Sequence, residues 1–248
     1  MPTAINSELA DLAIQRANRY VFLAQAFAHP TAERKQQLDE AASQLLMDGG
    51  NLGLMRLAAI ARETQSDALE PLYVSLTTFS ASPDCPTFET AYYGDGAQQQ
   101  THRMADIAGF YRAFGVDGTE GGFRPDDLSV ELEFMAFLCE KEAFARLHLG
   151  AARTAQALRA QRLFLQEHLG TWAPRFAASL SEVAPYGHFY WAAGNELAAW
   201  IQAECTRTGA NPMAVPVERP VAAPLPVSHG PEFPGDASFV SLEELAVR

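Results

Sequence analysis

Cysteine, basic charge, strand-like alternation and long apolar runs are all scarce in this 248-residue chain, and each scarcity excludes something. Cys85, Cys139 and Cys205 are odd in number and more than fifty positions apart, which fits neither a disulfide framework nor a C-x-x-C pair. They read as buried small hydrophobes in a reducing compartment. No run of about 18 apolar residues is present, and Met1 to Glu8 lacks the positive stretch and apolar core of a secretory signal. A cytoplasmic protein without a membrane span is expected. Lys and Arg number 18 against 30 Asp and Glu, a formal net charge of -12. That sign repels a phosphate backbone and argues against nucleic acid as a partner; basic peptides and basic protein surfaces fit better, with plain solubility the bland alternative.

What is present is helical periodicity. From Ser7 to Phe27, Leu9, Leu12, Ala13, Ala17, Tyr20, Val21, Leu23, Ala24 and Phe27 recur at three- and four-residue steps, and His29-Pro30 stops the run. Further helices are predicted from Thr31 to Leu46, Leu52 to Arg62, Asp67 to Phe79, Gln98 to Phe114, Asp127 to Leu149, Ala152 to His168, Trp172 to Val183 and Tyr186 to Thr206. Pro71 is tolerable only near the first turn of its helix. The apolar 127–149 stretch would make a central helix of about 35 Å at 1.5 Å per residue. β-branched residues are sparse, so the fold class is all-α, a single helical bundle over residues 1–210.

Two segments break the pattern. Residues 115–125 hold four glycines and a proline and form the candidate hinge, with Gly122 and Pro125 as its key positions. Residues 211–248 hold seven of the 15 prolines and read as an extended or disordered tail, with a docking arm the alternative.

The usual enzyme signatures are missing. His29, His102, His148, His168, His188 and His229 never fall three or four apart, and no nucleophile elbow, phosphate loop or dinucleotide fingerprint occurs. The sharpest polar feature is Asp126-Asp127-Leu128-Ser129-Val130-Glu131-Leu132-Glu133. Asp127 and Glu131 are helical neighbours, so a Mg²⁺-dependent helical enzyme acting on diphosphates is one reading. It lacks a second metal site and basic residues for the diphosphate. Acids capping a helix N-terminus are the simpler reading, which accounts for Asp126 and Asp127 but not Glu131. The aromatics Phe88, Tyr92, Tyr93, Phe110, Tyr111 and Phe114 are either core or the wall of a groove for a basic-then-apolar peptide.

Four ordered blocks resemble the TorD/DmsD/NarJ family of redox-enzyme maturation chaperones. They are Arg16-x-x-Arg19-Tyr20-x-x-Leu23-Ala24-x-Ala26-Phe27-x-x-Pro30, Leu69-Glu70-x-x-Tyr73, Cys85-Pro86-x-Phe88-Glu89-Thr90-x-Tyr92, and Tyr111-Arg112-x-Phe114-Gly115 leading to Arg124-Pro125-Asp126-Asp127-Leu128-Ser129-Val130-Glu131-Leu132-Glu133. A weaker fifth match is Pro185 to Tyr190. Asp127 stands where the family usually has His, so an imidazole role is lost there.

The resemblance implies an all-helical, non-catalytic helper with no cofactor of its own. It would bind the apo catalytic subunit of a DMSO-reductase-family molybdoenzyme, together with its twin-arginine leader, and assist insertion of the molybdenum cofactor before assembly or export. Asp126, Asp127 and Glu131 are then the expected acidic edge of the client site, lined or supported by Tyr20, Phe88, Glu89, Tyr92, Tyr111 and Arg112. Core packing is the alternative for Tyr20 and Tyr111. Half of the acidic excess lies between Asp117 and Glu142, eight acids against Arg124 and Lys141. Nucleotide binding has no phosphate loop to support it, and exchange of helices across the hinge would convert a monomer into a dimer.

Overall fold

A computed structural model describes residues 4–49, 51–77, 85–93, 96–116 and 124–215. Among these residues the chain is all-α: α1 (Ala4–Phe27), α2 (Ala32–Asp48), α3 (Leu52–Glu63), α4 (Ser66–Thr77), α5 (Ala97–Ala113), α6 (Leu128–Phe144), α7 (Ala151–Glu167), α8 (Leu169–Val183) and α9 (Phe189–Thr208). One 3-10 turn, Glu89–Tyr92, lies between α4 and α5. Gly122 and most of the hinge lie outside the described residues, as does the tail beyond Val215.

Local chemistry starts the helices where the sequence indicates. The Thr31 hydroxyl accepts from the Arg34 amide at 3.1 Å, and the Asn51 carboxamide accepts from Gly53 and Leu54. Asp127 caps α6. Pro71 departs from expectation, sitting inside α4 in its second turn rather than its first, where it forgoes one backbone bond. The expected 127–149 helix also changes pitch, because Ala145–Leu149 forms a π turn closed by the Gly150 amide on the Ala145 carbonyl.

Helix α6 is the centre of the bundle. Leu128, Leu132, Phe134, Met135, Leu138 and Cys139 are buried around its circumference, as expected of a helix surrounded by neighbours. Its main partner is α1, whose Ala10 and Ala13 pack closely against Ala143. Helices α8 and α9 form the second major pair. The buried core is continuous from Ala17 through Trp172, Phe176 and Tyr190 to Val215, whose amide donates to the Thr171 carbonyl at 3.1 Å.

A buried ion cluster ties four helices together. The Arg16 guanidinium of α1 donates to Glu204 of α9, Glu142 of α6 and Gln161 of α7 at 2.6–3.2 Å. Arg207 and Arg146 add second cations to Glu204 and Glu142. Gln161 closes the set by donating to Glu142 and to the Leu138 carbonyl. Breaking such a pair by removing one partner costs about 3–5 kcal/mol, since it leaves a charge stranded in low dielectric.

Candidate functional site: the clip at the start of α6

The segment before α5 folds across the N-terminus of α6 and is held there by its backbone. The Glu89 amide donates to the Asp126 carbonyl at 2.8 Å, and the Leu128 amide donates to the Thr87 carbonyl at 2.7 Å. This two-residue bridge places Phe88 opposite Asp127. The Asp126 carboxylate then accepts from the Thr90 amide (3.2 Å), the Thr90 hydroxyl (2.7 Å) and two nitrogens of Arg124 (3.0 Å each). Arg124 lies over the Phe88 ring at 4.1 Å. Asp127 turns the other way, accepting from the Ser129 amide and hydroxyl and from Thr87.

Beneath the bridge sits a second layer. The Trp172 indole donates to both oxygens of Glu131, and Tyr92 lies against Trp172 with ring centroids 5.3 Å apart. Burial, with the nearby Glu89 charge adding to it, holds the Glu131 carboxyl well above the usual glutamate range. Glu89 receives Arg103 at 3.1 Å and the Nδ1 of His168 at 3.2 Å. Tyr93 carries Arg103 on its ring face and donates to Thr171, whose own hydroxyl hydrogen goes to the His168 carbonyl.

Phe88, Glu89, Tyr92, Asp126, Asp127 and Glu131 therefore lie close together around the start of α6. Their arrangement differs from an acidic edge. Asp126 and Glu131 are 0% exposed, and Glu89 is equally buried. Carboxylates covered by the 85–93 segment and committed to internal donors offer no charge to a surface in this conformation. Only Asp127 and Phe88 reach partial exposure, on either side of the bridge.

The remaining members are placed elsewhere. Tyr20 is fully buried, donating to Glu204 at 3.2 Å and packing edge-on against Trp200, so it belongs to the ion cluster of α1 and α9. Tyr111 is core as well, packed on Phe134, although its hydroxyl reaches the Pro125 carbonyl at 2.7 Å and so fixes the end of the hinge. Arg112 is exposed on α5.

The same geometry removes the ligand set of the diphosphate reading. Asp126, Asp127 and Glu131 face three different partner groups, and among the described residues no group of three or more His, Cys, Asp or Glu could hold a metal ion. Tyr73 and Asp127 instead help line an open pocket of about 440 Å³, with Ala28, His29 and Arg34 around it.

Several contributors escape sequence reasoning. Trp172 and His168 meet Glu131 and Glu89 across 41 and 79 positions, distances no local pattern encodes. Arg16 carried a signal. It occupies the buried stripe of α1 between Ala13 and Tyr20, where a cation requires buried counter-charges.

The model of the nitrate reductase delta subunit family matches residues 24–178, which include the whole clip and Trp172. The chain is 36% identical over 110 residues to a perchlorate reductase assembly chaperone protein of Dechloromonas aromatica (strain RCB), covering 43% of this chain and 47%, about half, of that relative. It is 30% identical over 179 residues to a chlorate reductase assembly chaperone protein of Ideonella dechloratans, covering 69% of this chain and 81% of the relative. A solved structure of a candidate redox enzyme maturation protein from Archaeoglobus fulgidus gives a TM-score of 0.49 at 17% identity, covering 82% of this chain and 96% of that one. No described helix is long and apolar enough to cross a membrane. With more than half of its residues inside the family match, the chain belongs to the nitrate reductase delta subunit family, of the NarJ/TorD type whose motifs it carries.

Proposed function

We propose that this protein is a cytoplasmic, non-catalytic maturation chaperone. It binds the apo catalytic subunit of a DMSO-reductase-family molybdoenzyme, with its twin-arginine leader, and keeps it open to molybdenum cofactor insertion before assembly or export. The observation that carries the reading is the family match, which spans the clip built from Cys85–Tyr93, the start of α6 and α8. The two relatives, named as assembly chaperones of perchlorate and chlorate reductase, support the same class of client.

The polar groups of the clip hold its own backbone, which suits a binding protein. Phe88 and Asp127, half-buried at its edge, are the client contacts. Glu89, Tyr92, Asp126 and Glu131 support them from beneath, and Tyr111 and Pro125 set the position of the hinge. An excess of acid over base favours a leader bearing two arginines.

Deleting the gene in its native host and measuring molybdenum in the captured client tests the proposal. The client should accumulate as inactive, molybdenum-poor polypeptide. Full metal content and activity without the protein would overturn the reading.

A further inference from the structure

We propose that the outward face of α7 is an interaction surface for an acidic patch on a protein partner. The inference rests on the chaperone reading only in taking that partner to be the body of the client, outside its leader; the charge and packing of the face stand without it.

Charge is divided unequally along this chain. Residues 143–181 carry Arg146, Arg153, Arg159, Arg162 and Arg175 against Glu167 alone, a net +4 that leaves -16 for the rest of the molecule. Arg146 is committed to the buried Glu142. Arg153, Arg159 and Arg162 all lie on α7 and form no ion pair among the described residues. Arg153 and Arg162 reach only neutral acceptors, Gln156 and Gln166, at 2.9 and 3.3 Å.

Packing turns these arginines outward. Helix α7 commits Ala157, Ala160, Phe164 and Leu165 to the core, which leaves Arg153 and Arg159 exposed and Arg162 half-buried. At 1.5 Å per residue the three positions span about 14 Å of the helix axis. Ala152, Ala155 and Gln156 stand exposed and uncharged beside them, a low relief that lets another surface approach closely.

A helix face that meets only water is built differently in the same molecule. On α2, Lys35 pairs with Asp39 one turn on, and Gln36 and Gln44 donate to Glu40 and Asp48. Between Ala151 and Gln166, α7 has no acid to hold its own cations. Opposing carboxylates relieve that like-charge crowding, and the guanidinium fork pairs with them bidentately. A face rich in arginine and free of lysine, aspartate and glutamate has the composition of a protein interface. Nucleic acid fits less well, since the net -16 of the remaining chain repels a phosphate backbone and no exposed aromatic ring on α7 is there to stack on a base.

The test uses the full chain and two labelled, alanine-rich helical peptides, identical except that three glutamates spread over three turns of one are glutamines in the other. Anisotropy at low salt should show the Glu peptide binding about tenfold tighter than the Gln peptide, with the difference lost in about 0.5 M salt. Arg159→Gln/Arg162→Gln should erase the preference. Arg56→Gln/Arg62→Gln, which removes the same charge from exposed positions on α3, should keep it. Equal binding of the two peptides, equal loss in the two variants, or tighter binding of an oligoadenylate of the same charge would each overturn the face. A gain in Glu-peptide binding on neutralising the acids of residues 216–248 would hand the face to the chain's own C-terminal segment and overturn it too. Capture of the native molybdoenzyme subunit and of its isolated leader, measured in parallel, separates the two readings. The α7 variant should lose the subunit and keep the leader. Unaltered capture of the subunit removes the face and leaves the chaperone reading standing; a Glu-peptide preference with no client captured does the reverse.

Discussion

The Trp172 indole N–H donates to both carboxylate oxygens of Glu131, at 3.2 and 3.3 Å, where neither side chain reaches solvent. Among the described residues no cation pairs with Glu131, and burial, with the Glu89 charge adding to it, holds its carboxyl well above the ordinary glutamate range. The folded state then holds a proton that the unfolded state releases. Stability from this group is full below the ordinary range and falls as pH rises through the elevated folded value. Glu131→Gln keeps the acceptor and removes the titration. Urea midpoints between about pH 5 and pH 8 should fall less steeply for the variant than for the wild type; parallel curves would show that Glu131 is not the titrating group. Glu131→Ala should cost about 2–4 kcal/mol, by leaving the indole unpaired and a cavity behind.

Asp126 holds the clip shut, and its removal should open that segment before the bundle. Asp126→Ala leaves the Thr90 amide and hydroxyl without their acceptor, a loss of about 2–4 kcal/mol. Amide exchange at Thr90 should quicken by much more than exchange in α6, and equal protection in variant and wild type would contradict the assignment. Charge reversal here reads folding and not client binding, because a lysine at Asp126 or Glu131 would be driven into the core. A surface test of acidic steering belongs at Asp127, or at Glu133, whose side chain is 46% exposed.

The Arg16 cluster should respond to acid with the opposite sign. Burial alone would raise the Glu142 and Glu204 carboxyls, but hydrogen bonds from Gln161 and Arg146 to the first and from Arg16 to the second outweigh it. Both are held below the usual range, so their stabilisation is present above that range and lost as pH falls through the depressed values. Arg16→Met should cost about 3–5 kcal/mol at neutral pH and flatten the acid limb of the stability curve. Adding Glu204→Gln should recover part of the loss, and strict additivity of the two changes would argue against the coupling.

Two glycines should behave oppositely on gaining a methyl group. At Gly170 an added Cβ would clash with the Leu165 carbonyl oxygen, so Gly170→Ala forces the start of α8 away from α7 and should lower the melting temperature sharply. At Gly109, inside α5, the space is open, and Gly109→Ala should stabilise by about 0.5–1 kcal/mol. Thermal melts of the two variants decide the matter, and a destabilised Gly109→Ala would mean that the space beside α5 is closed.

The helices were legible because the apolar stripe of a helix is written in neighbouring residues. Thr31, Asn51 and Asp127 announce their own capping roles in the same way. The burial of Asp126 and Glu131 was not legible. An acid on a helix looks the same whether water or a folded-over segment covers it, and the cover comes from residues 85–93 and from Trp172. Pro71 misleads for a related reason, since a proline sets the local geometry but the surrounding packing decides how far into a helix it is carried.

The tie between Arg16 and Glu204 spans 188 positions, and it has a consequence for the order of events on the ribosome. At about 5–20 residues per second, α1 emerges roughly 10–40 s before the carboxylate that neutralises its guanidinium. Until α9 is made, the Arg16 partners among the described residues are Glu142 of α6 and the neutral Gln161 of α7. Packing of α1 on α6 can precede the last helix, but the ion cluster is completed only when α9 is delivered.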